Sequence, residues 1–184
     1  CFRGSSEDKL LRWKSACEKH GVEFFVNVDG DDLFFDHGLA DIVFKQYHNS
    51  KADFIDGQGL YNDVYGVSKK GIQKVCENKT NTNTEFIKLY FQNLKHLIKI
   101  EKLLNVPDLY HKKNIRMTLD YAEDLEFFRT VIGEFRKHNR PMTFDNIISF
   151  LKKNPSVIKI NWSKEQSWKQ NQAKMVSKIK QEGI

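Results

Sequence analysis

Between Glu7 and His20, apolar residues recur at helical spacing: Leu10, Leu11, Trp13, Ala16 and Cys17 share one side. Ser5-Ser6 offers a cap for this helix, and His20-Gly21 ends it. Glu23 to Val28 is apolar without alternation, the pattern of a strand covered on both faces. Gly30 permits a turn, and Asp36 caps a second helix carrying Leu39, Ile42, Val43 and Tyr47. Asp53 to Tyr61 reads as a loop, because Gly57-Gln58-Gly59 lacks the helix and acidic partner of a dinucleotide fingerprint. Asn62 to Ser68 then reads as a strand, and Lys69 to Glu77 as a helix.

The polar stretch Asn78 to Thr84 is expected to be a mobile loop. Thr84 to Leu104 reads as one long helix, apolar at Phe86, Leu89, Tyr90, Leu94, Leu97 and Ile98 and again from Ile100 to Leu104. So broad a stripe implies cover on more than one side, and hence a second copy of the chain, a homodimer. Pro107 breaks that helix; Lys113 to Leu119 reads as a strand and Ala122 to His138 as the helix behind it. Phe144 to Lys152 is a further helix closed by Asn154-Pro155. From Ser163 to Ile184 the chain is polar and lysine-rich, anchored by Trp162, Trp168 and Val176, and reads as a surface helix or partly disordered tail. The expected organisation is one α/β unit over residues 1–161 and a basic helix or tail over 162–184.

Composition narrows the class. A chain of 184 residues, 40% hydrophobic with 14 Phe, can bury a proper core as one domain. No window approaches the ~20 apolar residues of a membrane span. Three scattered cysteines favour reduced thiols, and so a cytoplasmic location, over a disulfide framework. The net charge of +6 fits nucleic acid, an anionic membrane or polyphosphate ligands. Abundant Lys, Asn and Ile explain the charge equally well, and neither a nucleic-acid nor a membrane partner is expected. Six histidines without metal-ligand spacing argue against a zinc site.

Two acidic stretches carry the candidate chemistry. One apolar run stops on Asp29-Gly30-Asp31-Asp32; a second, Ile115 to Leu119, stops on Asp120 before Glu123, Asp124 and Leu125. In an open α/β sheet, ligands sit outside the carboxyl ends of the strands. Two strands ending in Asp can bring two carboxylates to one edge, which suits a Mg²⁺ ion carrying a nucleotide phosphate. The same residues also suit turns and helix N-termini with no ligand at all.

At these residues the chain resembles the cytidylyltransferase family that makes CMP-activated sugars, and within it the spore-coat-polysaccharide F-type proteins. Asn27 to Asp32 is similar to the family's Asn-Val-x-Gly-Asp-acid motif, and Asp120 to Leu125 to its Asp-x-x-Glu-Asp-Leu element. Phe2 to Arg12, Arg116 to Asp120, and Asn154-Pro155 followed by Asn161 fit the F-type branch. The resemblance implies a three-layer, mostly parallel, Rossmann-like sheet of the nucleotide-diphospho-sugar transferase type. It implies Mg²⁺-dependent transfer of CMP from CTP to a sugar acid or related acceptor for surface-glycan synthesis. Asp31 and Asp120 take the catalytic and metal-holding places, while Arg3, Ser5, Arg12, Asp29, Gly30, Gln58, Glu85 and Arg116 take nucleotide or substrate places. Arg116 reads equally well as a structural ion-pair partner.

The chain departs from the pattern at Leu33, where members often have Pro, and at Thr84-Glu85-Phe86-Ile87, where the F-type branch often has Arg-Glu-His-Val. The family also opens with a strand and a basic loop for the CTP triphosphate that no residue here matches. The resemblance therefore implies a chain without its first strand-helix units, unable to transfer CMP alone. The alternatives are a nucleotide-sugar-dependent glycosyltransferase and a non-catalytic partner or fragment of such an enzyme.

Overall fold

The computed structural model describes residues 1–111 and 114–182. Helix α1 (Lys9–His20) is capped by Asp8, whose carboxylate accepts the Leu11 N–H at 2.9 Å, rather than by the two serines before it. Ser5 instead accepts the Asp8 N–H, and Gly21 ends the helix at φ 63°. Strand β1 (Phe24–Asn27) leads through the acidic turn to α2 (His37–Ser50), which Asp36 caps as expected. Strands β2 (Phe54–Gly57) and β3 (Val64–Ser68) follow, and Ser68 at the end of β3 caps α3 (Lys69–Asn78). Then come α4 (Ile87–Asn93), β4 (Ile100–Lys102), a short 3₁₀ turn, α5 (Ala122–Lys137), α6 (Phe144–Lys153), α7 (Pro155–Trp162) and α8 (Lys164–Glu182). Among the described residues no helix is long and apolar enough to cross a membrane.

The four-stranded sheet has the order β1-β3-β2-β4. It is α/β and mixed, but mostly antiparallel rather than mostly parallel: β3 runs antiparallel to both β1 and β2, and only β2–β4 is parallel. The cause is the connection from β2 to β3, residues 58–63, too short for a parallel crossover. The chain reverses there, with Gly59 at φ 96°, and β3 inserts between β1 and β2. One reversed strand in an interior position makes both of its pairings antiparallel.

Three further expectations need correction. Asp53 to Tyr61 contains β2, and Gly57 belongs to the strand because a Cβ there would lie 2.5 Å from the Val64 carbonyl oxygen. Thr84 to Leu104 is not one helix. Buried Asp53 accepts the Lys99 N–H, while the Lys99 carbonyl accepts from Asp53 and Phe54, drawing the segment after residue 98 into the sheet as β4. Its apolar residues Ile87, Tyr90, Phe91, Leu94 and Ile98 pack on Phe54, Val67, Ile72 and Val75 of this chain, while Leu97 and Leu104 of the same stripe stay exposed. The third concerns Lys113 to Leu119. Lys113 lies outside the described residues, and residues 115–120 join no strand, since β4 holds the place beside β2.

Phe54 and Ile55 point to opposite faces of β2. Phe54 joins the core under α1, α3 and α4, and Ile55 the core under α2. A third core, built on Phe127, Phe128, Val131, Phe135 and Ile148, holds α5, α6 and α7 together. Gly66 is where β3 allows the α2 layer to close on the sheet: an added Cβ would lie 2.5 Å from Val43 and 2.6 Å from Phe24. Gly66→Ala should therefore lower unfolding free energy by ~1–3 kcal/mol, read as an earlier urea midpoint at an unchanged m-value.

Candidate functional site

Strands β1 and β2 run the same way, so the loops that follow them open at one end of the sheet. A cavity of about 560 Å³ lies there, with Asp29, Asp31, Asp32 and Asp63 on the strand side. Glu85 to Leu89 and Gln92 form the α4 wall, and Trp168, Lys169, Gln172, Ala173 and Val176 the α8 wall. Gln58, Met117 and Thr118 also line it.

Asp31 and Asp120 are brought together across distant sequence. The Leu119 N–H donates to the Asp31 carbonyl at 3.2 Å, laying the 115–120 segment against the acidic turn. The Thr118 hydroxyl then lies 3.1 Å from Asp31 Oδ2 and 3.2 Å from Asp120 Oδ2. Its single proton can serve only one carboxylate at a time.

Asp120 is also held from behind. Arg116 is fully buried and donates to Asp120 at 2.6 Å, to both oxygens of Asp124 at 2.8 and 2.9 Å, and to Glu165 of α8 at 3.4 Å. Its guanidinium lies over the rings of Tyr121 and Trp168. Burial alone would lower the Arg116 pKa, but Asp124 and Asp120 outweigh it and hold the group above its ordinary value. Asp124 likewise resists burial and stays below its ordinary value, through Arg116, the N–H groups of Asp120 and Tyr121, and Asn161.

The other sequence-derived candidates divide by position. Asp29, Gln58 and Glu85 line the cavity. Lys9 pairs with Asp29 at 2.6 Å, and Lys88 pairs with Asp56 at 2.6 Å while also donating to Gln58. Gly30 forms the tip of the turn, with open space where a Cβ would stand. Arg3, Ser5 and Arg12 lie outside the lining; Arg12 folds back onto the Ser5 carbonyl at 2.6 Å. Arg116 is interior and does not reach the cavity. Thr118, Lys9, Lys88, Asp63 and the α8 residues were not singled out as site residues from sequence. A signal existed for α8: Trp168, Gln172 and Val176 recur at spacing four, one face of a helix.

Asp32 is half-buried, and its carboxyl is pushed up to about 7. Burial is the main cause, with Asp31, Asp29 and Asp63 adding repulsion and the nearby Asn62 amide opposing it. A carboxyl raised in the folded state costs stability as pH rises from about 4 to 7, and the cost is constant above that. Asp32→Asn should therefore be more stable than wild type at pH 8, with the advantage shrinking as pH falls from 7 towards 4 in paired thermal melts. Arg116→Met leaves Asp124 buried without its cation. It should lose ~3–5 kcal/mol in chemical denaturation.

No family model matches the chain. It is 26% identical over 167 residues to the uncharacterized protein MJ1063 of Methanocaldococcus jannaschii, covering 87% of this chain and 66% of that protein. It is 23% identical over 159 residues to the spore coat polysaccharide biosynthesis protein SpsF of Bacillus subtilis, covering 84% of this chain and 65% of that protein. The chain thus spans about two thirds of the length of these curated relatives. A cytidylyltransferase structure from Leptospira borgpetersenii shares the fold, with a TM-score of 0.71 at 21% identity over 85% of this chain and 67% of that one. Sequence makes the chain a distant homologue of SpsF, and its fold is that of a solved cytidylyltransferase.

Proposed function

We propose that the chain forms part of an enzyme transferring CMP from CTP to a sugar acid or related acceptor, with Mg²⁺ held by Asp31 and Asp120. The observation that carries this reading is the meeting of Asp31 and Asp120 on the Thr118 hydroxyl beside the cavity. Two carboxylates share one hydroxyl proton there, and the nearest buried cation, Arg116, is divided among Asp120, Asp124 and Glu165. Negative charge is left over, on hard oxygen atoms.

That donor set fits Mg²⁺. Among the described residues no group of three or more His, Cys, Asp or Glu side chains is placed to hold a metal. Mg²⁺ commonly takes only one or two carboxylates and completes its shell with water and substrate phosphates. Asp31 and Asp120 would hold the ion, which when bound would neutralise phosphate charge and acidify a coordinated hydroxyl.

The chain's own residues supply positioning. Arg116 fixes the Asp120 carboxylate, and Thr118 sets its spacing from Asp31. The α4 and α8 walls enclose the acceptor and exclude water. In-line attack of an acceptor hydroxyl on the α-phosphate, with pyrophosphate leaving, needs such fixed geometry more than it needs a dedicated base.

Pyrophosphate release from CTP by the intact protein, with Mg²⁺ and sugar-acid acceptors, tests the reading. Asp31→Asn keeps the shape and removes the charge, so it should lower kcat at least ~100-fold with an unchanged far-UV circular dichroism spectrum. Wild-type release rates in Asp31→Asn would sink it.

A further inference from the structure

We infer that Lys169, on the inner face of α8, receives the acid group of the acceptor; this rests on the transfer reading above. Among the described residues, the cavity is lined by three lysines and no arginine: Lys9, Lys88 and Lys169. Two of them are committed. Lys9 is held at 2.6 Å by Asp29 and Lys88 at 2.6 Å by Asp56, and both are largely covered. Lys169 differs: its side chain is 64% exposed and lies 3.3 Å from the buried Glu165. The other oxygen of Glu165 faces Arg116 at 3.4 Å, so Glu165 keeps a cation when Lys169 turns towards a ligand.

Electrostatics sets the direction in which an acidic sugar enters. Asp31 and Asp63 line the strand side, beside the Lys9–Asp29 pair and the half-buried Asp32, and disfavour an acid group there. The α8 side presents Lys169 with the Gln172 amide and the Trp168 ring near it. An acidic sugar therefore turns its carboxylate to α8 and leaves its hydroxyls towards Asp31 and Thr118. The backbone beneath Lys169 is anchored, because Glu165 bonds Arg116 and Lys164 pairs with Glu123 at 2.8 Å. Specificity for an acid thus comes from a helix whose first turn is tied to the same arginine that holds Asp120.

Binding of glucuronate and of neutral glucuronamide to the intact protein, followed through the Trp168 indole N–H resonance, tests this without turnover. Wild type should bind the acid roughly tenfold or more tightly than the amide. Lys169→Gln should erase that difference, Lys169→Arg should restore part of it, and Lys174→Gln, outside the cavity lining, should leave it intact. Equal binding of acid and amide by wild type, or an unchanged preference in Lys169→Gln, overturns the inference. An acid preference that depends on Lys169, in a protein releasing no pyrophosphate, would sink the transfer reading and leave this one standing. Pyrophosphate release with an unchanged acceptor KM in Lys169→Gln would do the reverse.

Discussion

A single buried cation organises half of the molecule. Arg116 has no solvent exposure, and an unpaired guanidinium in such a place would be untenable. The chain answers with Asp124 at the start of α5, Asp120 just before it and Glu165 from α8, while Asn161 of α7 bonds both the Arg116 carbonyl and Asp124. Four segments are therefore fixed relative to one side chain. Buried ion pairs contribute little net stability but punish the loss of a partner heavily, so they select one arrangement over its neighbours. Here that arrangement sets where Asp120 stands, and with it the spacing to Asp31.

The second constraint is the reversed strand. Because β3 lies between β1 and β2, the two same-direction strands are held apart, and the loops after them frame a wide mouth rather than a narrow crevice. Asp53 secures this layout from the opposite end. It accepts from Ser68 at 3.0 Å and from the Lys99 N–H at 3.0 Å, joining the ends of β3 and β4 to the start of β2. These bonds tie the strands together at the end of the sheet away from the cavity.

The two constraints together give the cavity an uneven field. The strand side carries four carboxylates, one pushed up to about 7 by burial and its acidic neighbours, and the helical walls carry the lysines. Such a gradient favours ligands with charge at both ends, a cation against the strands and an anion towards the helices. The metal-borne nucleotide and acidic acceptor proposed above have that polarity. Lys9 and Lys88 moderate the field through their pairs with Asp29 and Asp56.

Much of this was legible in the chain. Helices α1, α2, α3, α5 and α6 and strands β1 and β3 follow from apolar spacing and from caps such as Asp36, because those signals are local. The meeting of Asp31 and Asp120 was expected at the ends of two strands; the two carboxylates do meet on Thr118, but residues 115–120 join no strand. What sequence pattern could not show depended on distant partners. Whether the residues from Ile100 to Lys102 continue a helix or become β4 turns on Asp53, nearly fifty residues earlier, which captures the Lys99 backbone. Whether Ile115 to Leu119 pairs as a strand turns on β4, which holds the place beside β2, while Arg116 joins a cluster with Glu165 of α8. A polar, lysine-rich terminus becomes a cavity wall for the same reason: periodicity records which face of a segment is apolar, and only the folded chain decides what that face meets.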